Sequence, residues 1–260
     1  SSNDVGITKL EFYDGSDLVG SVSYEVGLLN LSHDFAWTPA SAGSHTLKVV
    51  AHDTGGATAT DTTTVMVGEK GEFLVNGDFE GGFTAGGKGM VGSGWGWFEN
   101  GGAAAYGFYD ETWPPVVFEG EHSQLIEINT IDRSGSDPDR YAGISQTVVG
   151  LTPGATYKLS LHGMLRVRSD DEDREGTNYR VQWGHDPDGG NDWTLVENWV
   201  EIPWDEVYTR LDPGEMSSYT VTFEAPSSEI TLFIRAWKKW GTAQRELDVN
   251  LDAITLKGYK

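Results

Sequence analysis

The chain has 260 residues, with 40 Asp and Glu against 18 Lys and Arg for a formal net charge of −22, and it has no cysteine. A surface that acidic repels a phosphate backbone, which excludes nucleic acid as a partner; the missing cysteines exclude disulfides, thiol nucleophiles and thiolate zinc sites. No apolar run approaches the roughly 20 residues of a membrane-spanning helix, so membrane insertion is not expected.

With 34 glycines and 38% hydrophobic residues, the composition is that of short strands joined by tight turns. The length suits two domains or one large all-β domain. The acidity suits solubility, salt tolerance or Ca²⁺-rich surroundings. Ser1 in place of Met reads as the start of a processed or excised segment.

In chain order, Ile7, Leu10 and Phe12 lead into a turn signal at Tyr13–Asp17, followed by Leu18-Val19-Gly20. Phe35-Ala36-Trp37 and His45–Ala51 read as two further strands, and Ala57–Val67 as the last strand of this part. The pieces LEFYDGSDLVG, FAWTPASAGSHTLKVVAHDTGGATATD and TTVMV resemble bacterial immunoglobulin-like modules found beside carbohydrate-binding and glycan-active domains. The resemblance covers 1–67 and implies a spacer or adhesive role without catalysis. An immunoglobulin-like sandwich takes about 100 residues and seven strands. Only four or five strands are visible here, so residues 1–70 are expected to form an incomplete module that lacks its front strands.

After a polar linker at Gly68–Gly71, the segment Phe73–Glu80 opens a second unit over residues 71–260. Its most regular stretch is Tyr141–Leu161. Ile144, Gln146 and Val148 alternate with Ser145, Thr147 and Val149, and after Pro153-Gly154 Tyr157, Leu159 and Leu161 alternate with Lys158, Ser160 and His162. That period predicts two half-buried antiparallel strands about a Pro-Gly turn. The segments Phe73–Glu80, Glu121–Glu127, Gly143–Leu161 and Val249–Leu256 resemble, in that order, the strands of galactose-binding-like, jelly-roll carbohydrate-binding modules. The expected fold class is therefore all-β, an immunoglobulin-like β-sandwich followed by a β-jelly-roll sandwich.

Between these strands lie three stretches expected as loops: the glycine-rich 77–107 with its continuation to Pro115, the turn around His185–Trp193, and Trp199–Trp204. Thr231–Trp240 reads as a strand, and the Asp170–Arg174 charge run as a solvated turn. Sugar rings present apolar C–H faces that stack on aromatic rings, while their hydroxyls need planar polar partners. Trp95, Trp97, Tyr106, Tyr109 and Trp113, with Glu99, Asn100 and Asp110 nearby in sequence, have that chemistry and are the expected ligand-binding set. The alternative role for the same rings is to cap the sandwich.

The jelly-roll resemblance also implies a structural Ca²⁺ between the opening and closing strands. Glu80 and Asp252 stand at its two acidic positions, with hard oxygen donors suited to that ion. The six His show neither HExxH nor HxH spacing. No GxSxG elbow and no phosphate loop is present, and 40 carboxylates always place some pair close together, so no acid/base pair is legible. The sequence therefore reads as a non-enzymatic extracellular or cell-surface protein with a glycan as partner. One alternative is a structural subunit that self-associates into a fibre or surface layer through the incomplete first module. Another is an accessory fragment of a glycan-degrading enzyme.

Overall fold

In the computed structural model, residues 5–86, 88–130, 139–168, 178–239 and 246–259 are described; the Asp170–Arg174 charge run and Trp240 lie outside them. The described elements are strands and two single 3₁₀ turns, Pro114–Val116 and Trp193–Leu195. None is a helix long and apolar enough to cross a membrane. The strands are β1 (Ile7–Asp14), β2 (Asp17–Leu28), β3 (Gly43–Asp53), β4 (Thr58–Val67), β5 (Lys70–Glu72), β6 (Phe83–Gly86), β7 (Gly89–Gly92), β8 (Gly96–Glu99) and β9 (Ala104–Glu111). They continue with β10 (Ser123–Thr130), β11 (Arg140–Val149), β12 (Thr156–Val167), β13 (Tyr179–Asp186), β14 (Val200–Ile202), β15 (Glu206–Val207), β16 (Ser217–Glu224), β17 (Glu229–Lys238) and β18 (Glu246–Tyr259). The chain divides into two compact units, residues 1–70 with 259–260, and residues 71–258.

The first unit is one antiparallel sheet in the order β2-β1-β3-β4. No second sheet faces it among the described residues, so the sandwich expected of an immunoglobulin-like module is absent. Phe35–Trp37 is not a strand either. Instead Phe35 stacks on Phe12 with ring centroids 4.3 Å apart, and Trp37 meets His45 edge-on at 5.1 Å. Gly20, paired with Phe12 across the sheet, makes room for this, since a Cβ there would lie 2.4 Å from the Phe35 ring. The cover is partial. Among the unit's described large side chains only Leu10 and His45 are buried. His45 is held by Asp14 Oδ2 at 2.7 Å from Nδ1 and by the Ser41 carbonyl at 3.0 Å from Nε2. With an acceptor at each ring nitrogen, its pKa rises, chiefly through the Asp14 bond.

The second unit has two sheets. The larger runs β15-β12-β18-β10-β9-β7-β6, with β16 also beside β12 and β5 beside β18; the smaller runs β14-β13-β17-β11-β8. Between them lies a core that includes Phe108, Ile126, Ile144, Tyr157, Leu159, Leu161, Leu165, Leu232, Ile234 and Leu251. The alternation predicted for β11 and β12 is present, with Ile144, Gln146, Val148, Tyr157, Leu159 and Leu161 turned inward. The two strands are not each other's partners, however. β11 pairs with β17 and β8, while β12 pairs with β16 and β18. The Pro153-Gly154 turn is an arch from one sheet to the other. It lies against the corresponding turn between β16 and β17 through Leu151 N–H to Ser228 O, Gly154 N–H to Ala225 O and Ala225 N–H to Ala155 O, at 2.8–3.0 Å.

Two other expectations change. Phe73–Glu80 is not a strand. Its backbone is met by a side-chain amide, Gln146, whose Oε1 accepts from Val75 N–H at 2.7 Å and whose Nε2 donates to Val75 O at 2.9 Å. The glycine-rich 77–107 stretch is not one long loop, because it contains β6, β7 and β8 and runs into β9.

Candidate functional site

The outer side of the larger sheet carries polar residues in register. In one row Tyr109, Leu125, Asn250 and Met164 lie side by side on β9, β10, β18 and β12; in the next stand Gly107, Glu127, Asp248 and Arg166. The strand period requires this, since Ile126, Val249 and Leu165 between them face the core. Strands open on one side usually turn polar residues to water. Here Asp248, Asn250, Asp252 and Arg166 are instead buried.

The cover comes partly from the segment between β9 and β10. The Arg166 guanidinium sits 5.6 Å from the centre of the Trp113 ring. Phe118 stacks on His162 at 3.5 Å, and the Phe118 and Glu119 N–H groups donate to Asp252 Oδ2 at 2.8 and 3.2 Å.

Within this face, Arg166 Nε donates to Asn250 Oδ1 at 3.1 Å, and its Nη2 lies 3.5 Å from Asp248 Oδ2. Arg210 bridges Glu246, at 2.6 Å, and Asp248. Asp248 Oδ1, Asn250 Nδ2, Ser123 Oγ and His162 Nδ1 are buried without a partner among the described residues. All four belong to residues on this side of the sheet. Burial, reinforced by Asp248 and Glu246, raises the Glu127 carboxyl to about 7. Burial also raises Asp248 to about 6, against the pull of Arg210 and Arg166. The Tyr109 hydroxyl moves up through burial and then the Glu127, Asp248 and Glu246 charges.

The five aromatic residues expected as a ligand set separate. Trp95 is buried, packs near Phe79 at 6.0 Å and donates its indole N–H to Asn76 O. Tyr106 is buried, its hydroxyl 2.6 Å from the acceptor Gly101 O and 3.0 Å from Asn100 Oδ1. Trp97, half-buried, packs against the core ring of Phe108 at 5.7 Å. Trp95 and Tyr106 serve packing, each with its polar group paired inside the fold, and Trp97 packs its ring against the core. Tyr109, 44% exposed, and half-buried Trp113 stand at the polar face. An open pocket there is lined by Trp113, Arg166, Arg168, Arg210 and Leu211.

Glu80 and Asp252 converge on one turn. Glu80 Oε1 accepts from the N–H groups of Glu121 and His122 at 2.8 Å, just beyond the Phe118 and Glu119 amides held by Asp252. These hard oxygens on sequence-distant segments are chemically suited to Ca²⁺. Asp252 is raised to about 6 by burial, opposed by those backbone donors. Among the described residues, the group of three carboxylates close enough to share one ion is a different one, Glu127, Glu246 and Asp248, with oxygens within 4.8 Å of one another. Sequence reading missed this group because its strands are brought together only by sheet order.

A second aromatic cluster lies on the outer side of the smaller sheet, around Arg235. The guanidinium is 3.7 Å from the Trp199 ring centre, 4.2 Å from Tyr141 and 5.9 Å from Trp193. The chain's own cation already occupies those ring faces.

No family model matches the chain, and no curated protein is significantly similar to it. Solved structures similar to it include a β-sandwich carbohydrate-binding module described for promiscuous specificity (14% identity, 98% of this chain and 86% of that chain, TM-score 0.39). A carbohydrate-binding module solved with β-1,4-galactotriose is also similar (14% identity, 73% and 99%, TM-score 0.42). A third is a cleaved adhesin domain of Lys-gingipain from Porphyromonas gingivalis (15% identity, 74% and 100%, TM-score 0.44). Likeness at this level assigns no function.

Proposed function

We propose that the chain is a non-catalytic extracellular protein that binds a glycan on the outer face of its larger sheet, at Tyr109, Trp113, Arg166, Asp248 and Asn250. The unpaired Asp248 Oδ1 and Asn250 Nδ2 support this most directly. One is an acceptor, the other a donor, and both sit on the same side of β18. A hydroxyl both gives and takes a hydrogen bond, so vicinal hydroxyls match such a pair, and burying it empty costs about 1–3 kcal/mol per group. Tyr109 and Trp113 add aromatic surface at the edge of this polar patch. The test is retention on a glycan array. Tyr109→Ala and Trp113→Ala should each cut retention about tenfold or more, near 1.4 kcal/mol, with melting temperatures close to the parent's. Unchanged retention in both variants, or none by the parent, overturns the reading.

The Ca²⁺ expected at Glu80 and Asp252 belongs to the same reading, as a stabiliser of the 118–122 turn beside the site. Self-association through the first unit is a second reading, favoured by its single sheet. β2 and β4 each have one unpaired edge among the described residues. Such edges accept further strands.

A further inference from the structure

With all three carboxyls ionised, the cluster at the centre of this face holds one negative charge more than the two guanidiniums that meet it balance. Glu127, Glu246 and Asp248 bring carboxylate oxygens within 4.8 Å of one another. Two guanidiniums meet them. Arg210 bridges Glu246 and Asp248, and Arg166 reaches Asp248. Glu127 has no hydrogen bond or ion pair among the described residues, and Asp248 Oδ1, on a residue only 2% exposed, has no partner. Beside it Asn250, fully buried, spends its Oδ1 on the same Arg166 and leaves Nδ2 unpaired among the described residues.

The surface next to Glu127 is open in a particular way. Its partner on β9 is Gly107, and the Tyr109 ring lies over that glycine, since a Cβ there would come within 2.3–2.6 Å of the ring and its hydroxyl. An exposed aromatic ring thus rests on backbone beside an unpaired carboxylate. Cations are drawn both to an aromatic face and to a partly buried carboxylate.

On the glycan-binding reading above, we propose that this face takes a glycan with a free amine, a hexosamine residue whose nitrogen is not acylated, with the ammonium at Glu127 and the pyranose ring against Tyr109. The ammonium supplies the missing positive charge, and neighbouring hydroxyls meet Asn250 Nδ2 and Asp248 Oδ1. A bare divalent ion would satisfy the carboxylates but, carrying no acceptor of its own, leave the Asn250 donor unpaired. An N-acetyl group would cancel the charge that the cluster lacks.

The test is calorimetric titration of the whole protein with a short β-1,4-linked glucosamine oligomer, its fully N-acetylated counterpart and the matching glucose oligomer. It is run just below neutral pH in about 0.15 M salt, where long-range attraction is screened beyond about 8 Å. The glucosamine oligomer should bind at least tenfold more tightly than either control, and Glu127→Gln should erase that preference. The variant moves the net charge only from −22 to −21, so a preference that survives it comes from general attraction to an acidic surface and overturns the proposal. Equal binding of glucose and glucosamine oligomers also overturns it while leaving the glycan reading standing, and binding of none of the three removes both. Calcium chloride titrated alone is the last arm. Saturable Ca²⁺ binding that Glu127→Gln abolishes would assign the cluster to a metal instead.

Discussion

Glu127 shows how a single side chain records what its surroundings lack. Its carboxyl is raised from an ordinary 4.5 to about 7, first by burial and then by Asp248 and Glu246. Below pH 4.5 the group is protonated whether the chain is folded or not, and it contributes no pH dependence. Between about 4.5 and 7 the unfolded chain releases the proton first, so folding stability falls as pH rises; above 7 the whole cost is present. Glu127→Gln should therefore raise the melting temperature at pH 8 and lose that advantage at pH 4. A variant no more stable than the parent at pH 8 would show that Glu127 is compensated in the free protein. Trp95 and Tyr106 illustrate the limit of reading aromatics from sequence. Each lies in a glycine-rich stretch of the kind that carries ligand loops, yet each has its polar atom satisfied inside the fold. Only the strands threaded through that stretch decide which rings face out, and no local pattern reports them.

At the scale of elements, β18 carries both the core and the site. Leu247, Val249 and Leu251 face inward, while Glu246, Asp248, Asn250 and Asp252 face the other way. The inward period was legible in the sequence, and the closing strand was expected there. Burial of the outward residues was not, because Trp113 and Phe118, which lie over part of that face, come from a segment more than a hundred residues earlier. The Pro153-Gly154 turn was misread for a related reason. Alternation on both sides of a Pro-Gly pair looks the same for a hairpin and for an arch, and the partners that distinguish them, β16 and β17, come some seventy residues later. The 118–122 turn permits a direct test, since Asp252 and Glu80 together accept four of its backbone N–H groups. Asp252→Ala removes the acceptor of three amides, Phe118 and Glu119 in the turn and Ala253 beside it, and should destabilise the unit by about 1–3 kcal/mol for each that stays buried. If Ca²⁺ adds to this staple, it stabilises by RT ln(1 + [Ca²⁺]/Kd), about 2.7 kcal/mol at a hundredfold excess. Chelation should then lower the melting temperature of the parent but not of Asp252→Ala. Identical parent curves with and without chelator would assign the staple to the amides alone.

At the scale of the whole molecule, the two units differ in how far each can bury its own apolar surface. The second has two sheets and a core between them. The first has one sheet, and the same side that shows Phe12 also carries Val22, Leu47 and Val49, all only half-buried. Phe35 and Trp37 close part of that side and leave an apolar pocket of about 270 Å³ lined by Phe12, Val19, Phe35, Trp37, Leu47 and Val49, with Tyr13, Lys48 and Asp61–Thr63 at its rim. A sheet of this size lacks a second layer to balance the entropy of ordering its chain, at roughly 1–2 kcal/mol per residue for the backbone alone. Residues 1–67 made alone should therefore be unfolded or aggregated, without a cooperative melt. In the full protein, the half-covered side and the free edges of β2 and β4 should draw a second copy. If the contact joins two different surfaces head to tail and its rotation does not close, copies add without limit and form a fibre. Light scattering against concentration checks this. The mass should grow with concentration, and Phe12→Ser, which removes apolar surface from the exposed side, should reduce that growth while leaving the melting of the second unit unchanged. A monodisperse monomer at all concentrations, together with a cooperative melt of the 1–67 segment, would show instead that the single sheet is a complete domain.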